Sequence, residues 1–300
     1  MAATAKFNKS YACIIAAAVL WGCIGISVRN LGELGFSNIQ IVFVRSFVAL
    51  ITIIPVILIK DVKLFKIKIR DIWCFIGTGV ISLLMFNVCY FYTMELTNLG
   101  IAAVLLYTAP AFVCIFSVIL FKEKITAVKM VSMLIILAGC TFVSGIIGSD
   151  IGSFNFLGVV LGLCSGIGYA LYSIFSRYAL NKGYNTYTIS FYTFLLSAIA
   201  SVPFANIKDI VAKTTPYAVL FFIAIGFFCC TLPYLLYTQG LCATSNTVAA
   251  MLATIEPVVA AFIGAFVFHD EIGFFGTAGI ILILIGICVM NIKPKNKKKI

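Results

Sequence analysis

Pro55-Val-Ile-Leu-Ile-Lys60-Asp61 recurs as Pro203-Phe-Ala-Asn-Ile-Lys208-Asp209, so that a proline, an isoleucine, a lysine and an aspartate return together after 148 residues. The same register, at offsets of 147 or 148, extends in both directions. It lays Arg29 on Arg177, Asn38 on Asn185, Gly79 on Gly226, Tyr90 on Tyr237, Ala102-Ala103 on Ala249-Ala250, Pro110 on Pro257, Phe121 on Phe268 and Gly139 on Gly286. In a chain that is 63% hydrophobic, scattered apolar matches carry little weight. Coincident prolines and charges in one register carry more, and they divide the chain into two copies of one unit. The predicted halves are residues 1–148 and 149–292, followed by a basic tail, 293–300.

Each half holds five apolar runs of about 20 residues, the length that crosses a hydrocarbon core of about 30 Å. The predicted spans are 10–28, 37–59, 71–93, 98–121, 126–147, 154–176, 184–205, 216–239, 244–268 and 273–292. Only 31 of 300 side chains are charged (21 Lys and Arg, 10 Asp and Glu), too few to cover a soluble surface. The run after Lys6 and Lys9 resembles a signal peptide, but with nine similar runs behind it, it reads as the first span. Backbone hydrogen bonds in lipid are satisfied within helices, and short connections make successive helices alternate in direction. The expected fold is therefore an all-α membrane protein of ten transmembrane helices. Because five is odd, its two five-helix repeats are inverted with respect to one another, the plan of many secondary transporters.

The net charge of +11 does not point to a nucleic-acid partner, because most of the cations map to one side of the membrane. With the N-terminus inside, the inner face holds Lys6, Lys9, Lys60, Lys63, Lys66, Lys68, Arg70, Lys122, Lys124, Lys129, Arg177, Lys182 and the tail lysines 293, 295, 297, 298 and 299. The outer face holds Arg29, Lys208 and Lys213. This distribution predicts that both termini are cytoplasmic in a multi-pass plasma-membrane protein. The tail is read as a topology anchor that also meets membrane lipid. The eleven cysteines, without CxxC spacing or a histidine cluster, read as small packing residues, and neither a metal nor a cofactor is expected.

One cation is left within a span. Arg45 lies about a third of the way along the second helix, and Glu256 lies near the middle of the ninth. An ionisable group at that depth costs about 2.5–3.5 kcal/mol or more, so each invites a functional reading. The two are at similar depth, and either locking the halves as an ion pair or lining a cavity for a charged substrate is consistent with that. Glu256 is predicted to share a small-residue face with Ala249, Leu252, Ala253 and Ala260. Pro110 and Pro257 are expected to bend their helices and free a carbonyl each. Trp21, Asn87, Tyr90, Tyr107, Tyr169, Tyr234, Tyr237 and Gln239 complete the predicted substrate-binding lining. Gly158, Gly162 and Gly166, four apart, read as a close-packing helix face. A proton is a candidate coupling ion through Glu256.

With these residues assembled, the chain resembles the drug/metabolite transporter superfamily, in particular its EamA-type members. The resemblance rests on Leu20-Trp21-Gly22, Phe43-Val44-Arg45-Ser46-Phe47, Phe121-Lys122-Glu123-Lys124-Ile125-Thr126, Ile255-Glu256-Pro257-Val258 and Phe268-His269-Asp270-Glu271. In that family a small residue precedes the acidic residue after the fourth and ninth helices. Lys122 and Asp270 stand in its place here, so that Glu123 matches either Asp270 or Glu271. The resemblance implies an alternating-access carrier that exports amino acids or related metabolites. Neutral metabolites such as vitamins or nucleosides, and amphipathic drugs, are the alternative cargo. A membrane-embedded lipid-modifying enzyme is a lower-ranked reading, because the chain has a single histidine, His269, in a turn read as solvated.

Overall fold

The computed structural model describes residues 2–147 and 155–290, with side chains from residue 9; the basic tail lies outside the described residues. Among the described residues the chain is all-helical. Eight helices are long and apolar enough to cross a membrane: α1 (Lys9–Glu33), α2 (Asn38–Lys60), α3 (Ile69–Leu96), α4 (Leu99–Phe121), α6 (Phe156–Asn181), α7 (Thr186–Ala205), α8 (Pro216–Leu241) and α9 (Asn246–Phe268). Two shorter apolar helices, α5 (Ala127–Val143) and α10 (Phe274–Met290), occupy the fifth and tenth places. At 1.5 Å per residue their 17 residues reach about 25 Å, somewhat less than a hydrocarbon core. The first helix runs beyond its predicted end, with a break at Cys23, so Arg29 sits on its last turns rather than in a connection.

Polar caps start the helices where the apolar runs begin. The Asn98 side chain accepts from the Ile101 amide at 2.8 Å, Asn155 from Gly158 at 3.0 Å and Thr215 from Ala218 at 3.1 Å. Ser37 and Gln40 form a capping box at the start of α2. Helices α4 and α9 end alike, with Lys122 (φ 54°) and His269 (φ 58°) in the left-handed region. The next residues, Glu123 and Asp270, donate their amides to Ser117 and Gly264 carbonyls at 3.1 and 3.0 Å. These two turns coincide at an offset of 147 and settle the equivalence that the sequence left open: Glu123 corresponds to Asp270, and His269, not Asp270, takes the position of Lys122.

Contacts between the halves are reciprocal, as a two-fold axis requires. A Cβ on Gly139 of α5 would stand 2.9 Å from the Gly279 carbonyl of α10, and one on Gly286 would stand 3.1 Å from the Ser132 carbonyl. Exchanging each residue for its repeat counterpart turns the first contact into the second. The same holds for Gly79 against Leu196 and Ser197, and Gly226 against Val48 and Ala49. These glycines let backbones meet, the packing that substitutes for a hydrophobic driving force in lipid. The glycine face of α6 packs as read, with Gly158 against Thr97, Gly162 against Leu105 and Gly166 against Thr108.

Helices α3 and α8 carry π-helical segments, Gly77–Leu84 and Ala224–Thr231, at identical repeat positions. Helices α4 and α9 are interrupted at Tyr107-Thr108 and at Thr254, just before Pro110 and Pro257. At each interruption a threonine hydroxyl, Thr108 or Thr254, bonds back to the carbonyl three residues earlier. The two interruptions thus lie at equivalent repeat positions, each two or three residues before its proline. Large apolar side chains such as Ile59, Phe204, Phe266 and Phe274 face outward.

Candidate functional site

The two helix interruptions and α6 border a small cavity of about 20 Å³, lined by Tyr107, Pro110, Tyr169, Ser173, Tyr237, Thr254 and Glu256 among others. Tyr169, Ser173 and Tyr237 also line an adjoining space of about 10 Å³ with Trp21, Ser82, Phe86, Tyr172 and Tyr234. Together their lining is largely aromatic with few polar groups, and in this state they are too small to hold a metabolite, so that the side chains around them must part to admit one.

Glu256 stands in the first turn after the α9 interruption, where its carboxylate faces the cavity. The Tyr169 hydroxyl donates to it at 3.0 Å. Tyr90 and Tyr107 lie near enough to feel its charge. Trp21 and Tyr169, repeat counterparts, meet edge to face with ring centroids 6.3 Å apart, and Trp21 also contacts Tyr234 and Tyr237 at 5.3 Å each. Ser173 and Tyr237 share a hydrogen bond of 2.7 Å, as do Tyr172 and Thr238, and these fix α6 to α8 beside the cavity.

Arg45 is 7% exposed, and its Nε is buried without a hydrogen-bond partner. Its guanidinium carbon lies 6.0 Å from the centre of the Phe86 ring, which itself contacts Tyr169 at 5.6 Å. Among the described residues, the ion pairs within 4.0 Å are Arg29–Asp270, Arg70–Asp71, Lys129–Glu123, Lys182–Asp71 and Lys213–Asp209. Arg45 and Glu256 are not joined. Arg45 lies by Phe86 and Glu256 by Tyr169, rings that touch each other, and the Arg45 Nε keeps its bonding capacity unspent.

Trp21, Tyr107, Tyr169, Tyr234, Tyr237, Pro110 and Glu256 are therefore brought together. Four predicted lining residues are not, since Arg45 and Tyr90 border neither space, and nor do Asn87 and Gln239. Asn87 is buried and donates to the Leu83 carbonyl of its own helix. Gln239 is exposed on the last turn of α8. The predicted face around Glu256 is also split by the break at Thr254: Ala250 and Ala253 line the cavity, Ala249 and Leu252 belong to the main core, and Ala260 is exposed. Pro257 is buried behind the lining. Phe86, Tyr172, Ser173 and Thr254 were not foreseen, since aromatic and hydroxyl residues recur throughout the spans.

The profile of the EamA-like transporter family matches this chain twice, over residues 8–145 and 156–292. The chain belongs to the EamA-like transporter family. Among its relatives, an uncharacterized transporter of Archaeoglobus fulgidus is 26% identical over 93% of this chain and 94% of its own. An uncharacterized transporter of Clostridium kluyveri is 25% identical over 98% and 97%. A crystal structure at 16% identity superposes with a TM-score of 0.76 over 95% of this chain and 96% of that one, a likeness of fold alone. This EamA-like chain is accordingly a multi-pass membrane protein and a transporter.

Proposed function

We propose that this protein is a secondary carrier that exports amino acids or related small metabolites across the plasma membrane by alternating access. Its ten helices form two inverted repeats, with both termini in the cytoplasm. The observation that carries the reading is the buried carboxylate of Glu256 facing an aromatic cavity, with the buried Arg45 guanidinium unpaired beside the Phe86 ring of the adjoining space. A zwitterion places its carboxylate toward the arginine and its ammonium toward the glutamate, and the intervening rings hold its apolar part. A phosphorylated sugar or nucleotide calls for more cations than one.

Glu256 is held by a neutral phenol rather than by a cation, which leaves it able to exchange a proton for the substrate's ammonium. Neutral aromatic metabolites such as vitamins or nucleosides, and amphipathic drugs, are the second reading, favoured by the six aromatic side chains of Trp21, Phe86, Tyr169, Tyr172, Tyr234 and Tyr237 around the adjoining space.

The test is counterflow of labelled amino acids, nucleosides and vitamins into proteoliposomes of the purified protein. Exchange of amino acids alone is expected. Exchange confined to nucleosides, vitamins or drugs moves the assignment to the second reading, and no exchange across the panel rejects both. Reporters fused at the two termini are expected to report a cytoplasmic location, and a periplasmic or extracellular signal from either refutes the orientation.

A further inference from the structure

The two faces of the molecule are in different states. On the face bearing the N-terminus, the first half of α9 (Asn246–Ala253) packs against the second half of α4 (Ala109–Phe121) and against α6. On the opposite face their symmetry counterparts, Leu99–Leu106 of α4 with Ile255–Phe268 of α9 and with α1, do not pack to a comparable extent. The N-terminal face is therefore the more tightly closed of the two, and the opposite face the more open.

Four charged residues that the transport reading leaves unused differ in the same way. They are two repeat-related pairs, Arg29 with Arg177 and Glu123 with Asp270. On the open face Arg29 and Asp270 bond each other at 2.5 Å, with Arg29 over the Phe268 ring at 4.3 Å. On the closed face Arg177 and Glu123 are not paired. Arg177 instead donates from Nε to Asn246 Oδ1 at 2.8 Å and from Nη2 to the Thr244 carbonyl. Glu123 accepts from the Thr247 amide at 3.5 Å, with Lys129 3.8 Å from its other oxygen. Both therefore grip the start of α9, where first-turn amides lack helical partners and attract a carboxylate.

We propose that these four residues are the gates of the carrier and that they work by exchanging partners: an arginine and its carboxylate bind each other when their face is open, and the start of α9 or α4 when it is closed. Symmetry supplies the other state. Arg177 joins Glu123, Asp270 accepts from the Gly100 amide, and Arg29 donates to the Thr97 carbonyl, positions 147 residues before Thr247 and Thr244. Two elements of the closed grip have no counterpart, because Leu99 stands where Asn246 offers its oxygen and Gly276 where Lys129 flanks Glu123. The chain is therefore biased toward the state with the N-terminal face closed. This inference rests on the alternating-access reading.

Pulsed electron paramagnetic resonance on the full chain in nanodiscs tests it, with spin labels attached through unnatural amino acids at the exposed positions Glu95 and Glu271, so that the native cysteines stay. The expected wild-type result is a dominant long distance across the open face and a minor short one. Asn246→Leu removes a bond to a charged group, and Leu99→Asn, at a position 59% exposed, supplies Arg29 with the missing acceptor. Each is expected to raise the ratio of short to long distances about tenfold, as a charge-assisted hydrogen bond implies. Two populations in the wild type whose ratio moves less than twofold, or in the opposite direction, in either variant overturn partner exchange while alternating access stands. A single population in all three proteins overturns both.

Discussion

The Tyr169 hydroxyl donates to the Glu256 carboxylate at 3.0 Å, and Tyr169 is the repeat counterpart of Trp21, whose ring it meets on the other side of the cavity. The residue that orients the carboxylate therefore comes from the second repeat, and its twin in the first supplies only an apolar wall. Tyr169→Phe removes the donor and keeps the ring. It is expected to raise the concentration for half-maximal counterflow about tenfold with little change in maximal rate, the loss of one hydrogen bond to a charge.

Glu256→Gln keeps the shape and removes the charge. Counterflow of zwitterions is expected to fall at least tenfold, and the dependence of the remaining transport on pH to flatten. A variant whose pH profile overlays that of the wild type eliminates Glu256 as the proton carrier.

Arg45 gives a prediction of opposite sign for stability and for transport. A buried guanidinium with an unpartnered Nε costs the folded state. Arg45→Met is expected to stabilise the purified protein by about 1–3 kcal/mol, seen as a higher unfolding temperature in detergent. The same change abolishes counterflow of carboxylate-bearing substrates. A lower unfolding temperature instead assigns Arg45 to holding the halves together.

The contact between α5 and α10 depends on having no side chain at its centre. In Gly139→Leu the new Cβ meets the Gly279 carbonyl and the Ile283 amide nitrogen, both at 2.9 Å, and backbone cannot yield as a side-chain tip does. A loss of about 1–3 kcal/mol is expected, measured by thermal unfolding. Gly25→Ala, where a Cβ has open space, is the matched control.

Outside the spans, Asp209 in the short helix Ile207–Lys213 accepts from Gln40 Nε2 at 2.7 Å and from Lys213 at 2.6 Å. These bonds, Gln40 first, hold its carboxyl below its usual value of 3.8. A carboxyl lowered on folding stabilises the fold above its unfolded pKa, and that contribution disappears as pH falls from about 3.8 through the folded value. The unfolding temperatures of wild type and Asp209→Asn are therefore expected to differ at pH 6 and to converge below pH 3.8.

The spans were legible because length and apolarity suffice to mark them, and the duplication because proline, lysine and aspartate kept one register. Arg45 and Glu256 stood out because charge is rare at that depth. Asn87 and Gln239 were read as lining because amides are rare within spans, but Asn87 spends its amide on the Leu83 carbonyl of its own helix and Gln239 is exposed on the last turn of α8. The interruption at Thr254 broke the face inferred for Ala249 through Ala260. Phe86 and Ser173 were hidden in another way, as ordinary residues whose neighbours alone make them part of the site.

The π-helical segments Gly77–Leu84 and Ala224–Thr231 bear on history. Each is a helix that has absorbed a surplus residue, and both hold it in the same eight positions. Two separate insertions at one place are a coincidence, whereas one insertion copied along with its surroundings is not. The matching irregular turns are what a single insertion, made before the unit was doubled, leaves in both copies.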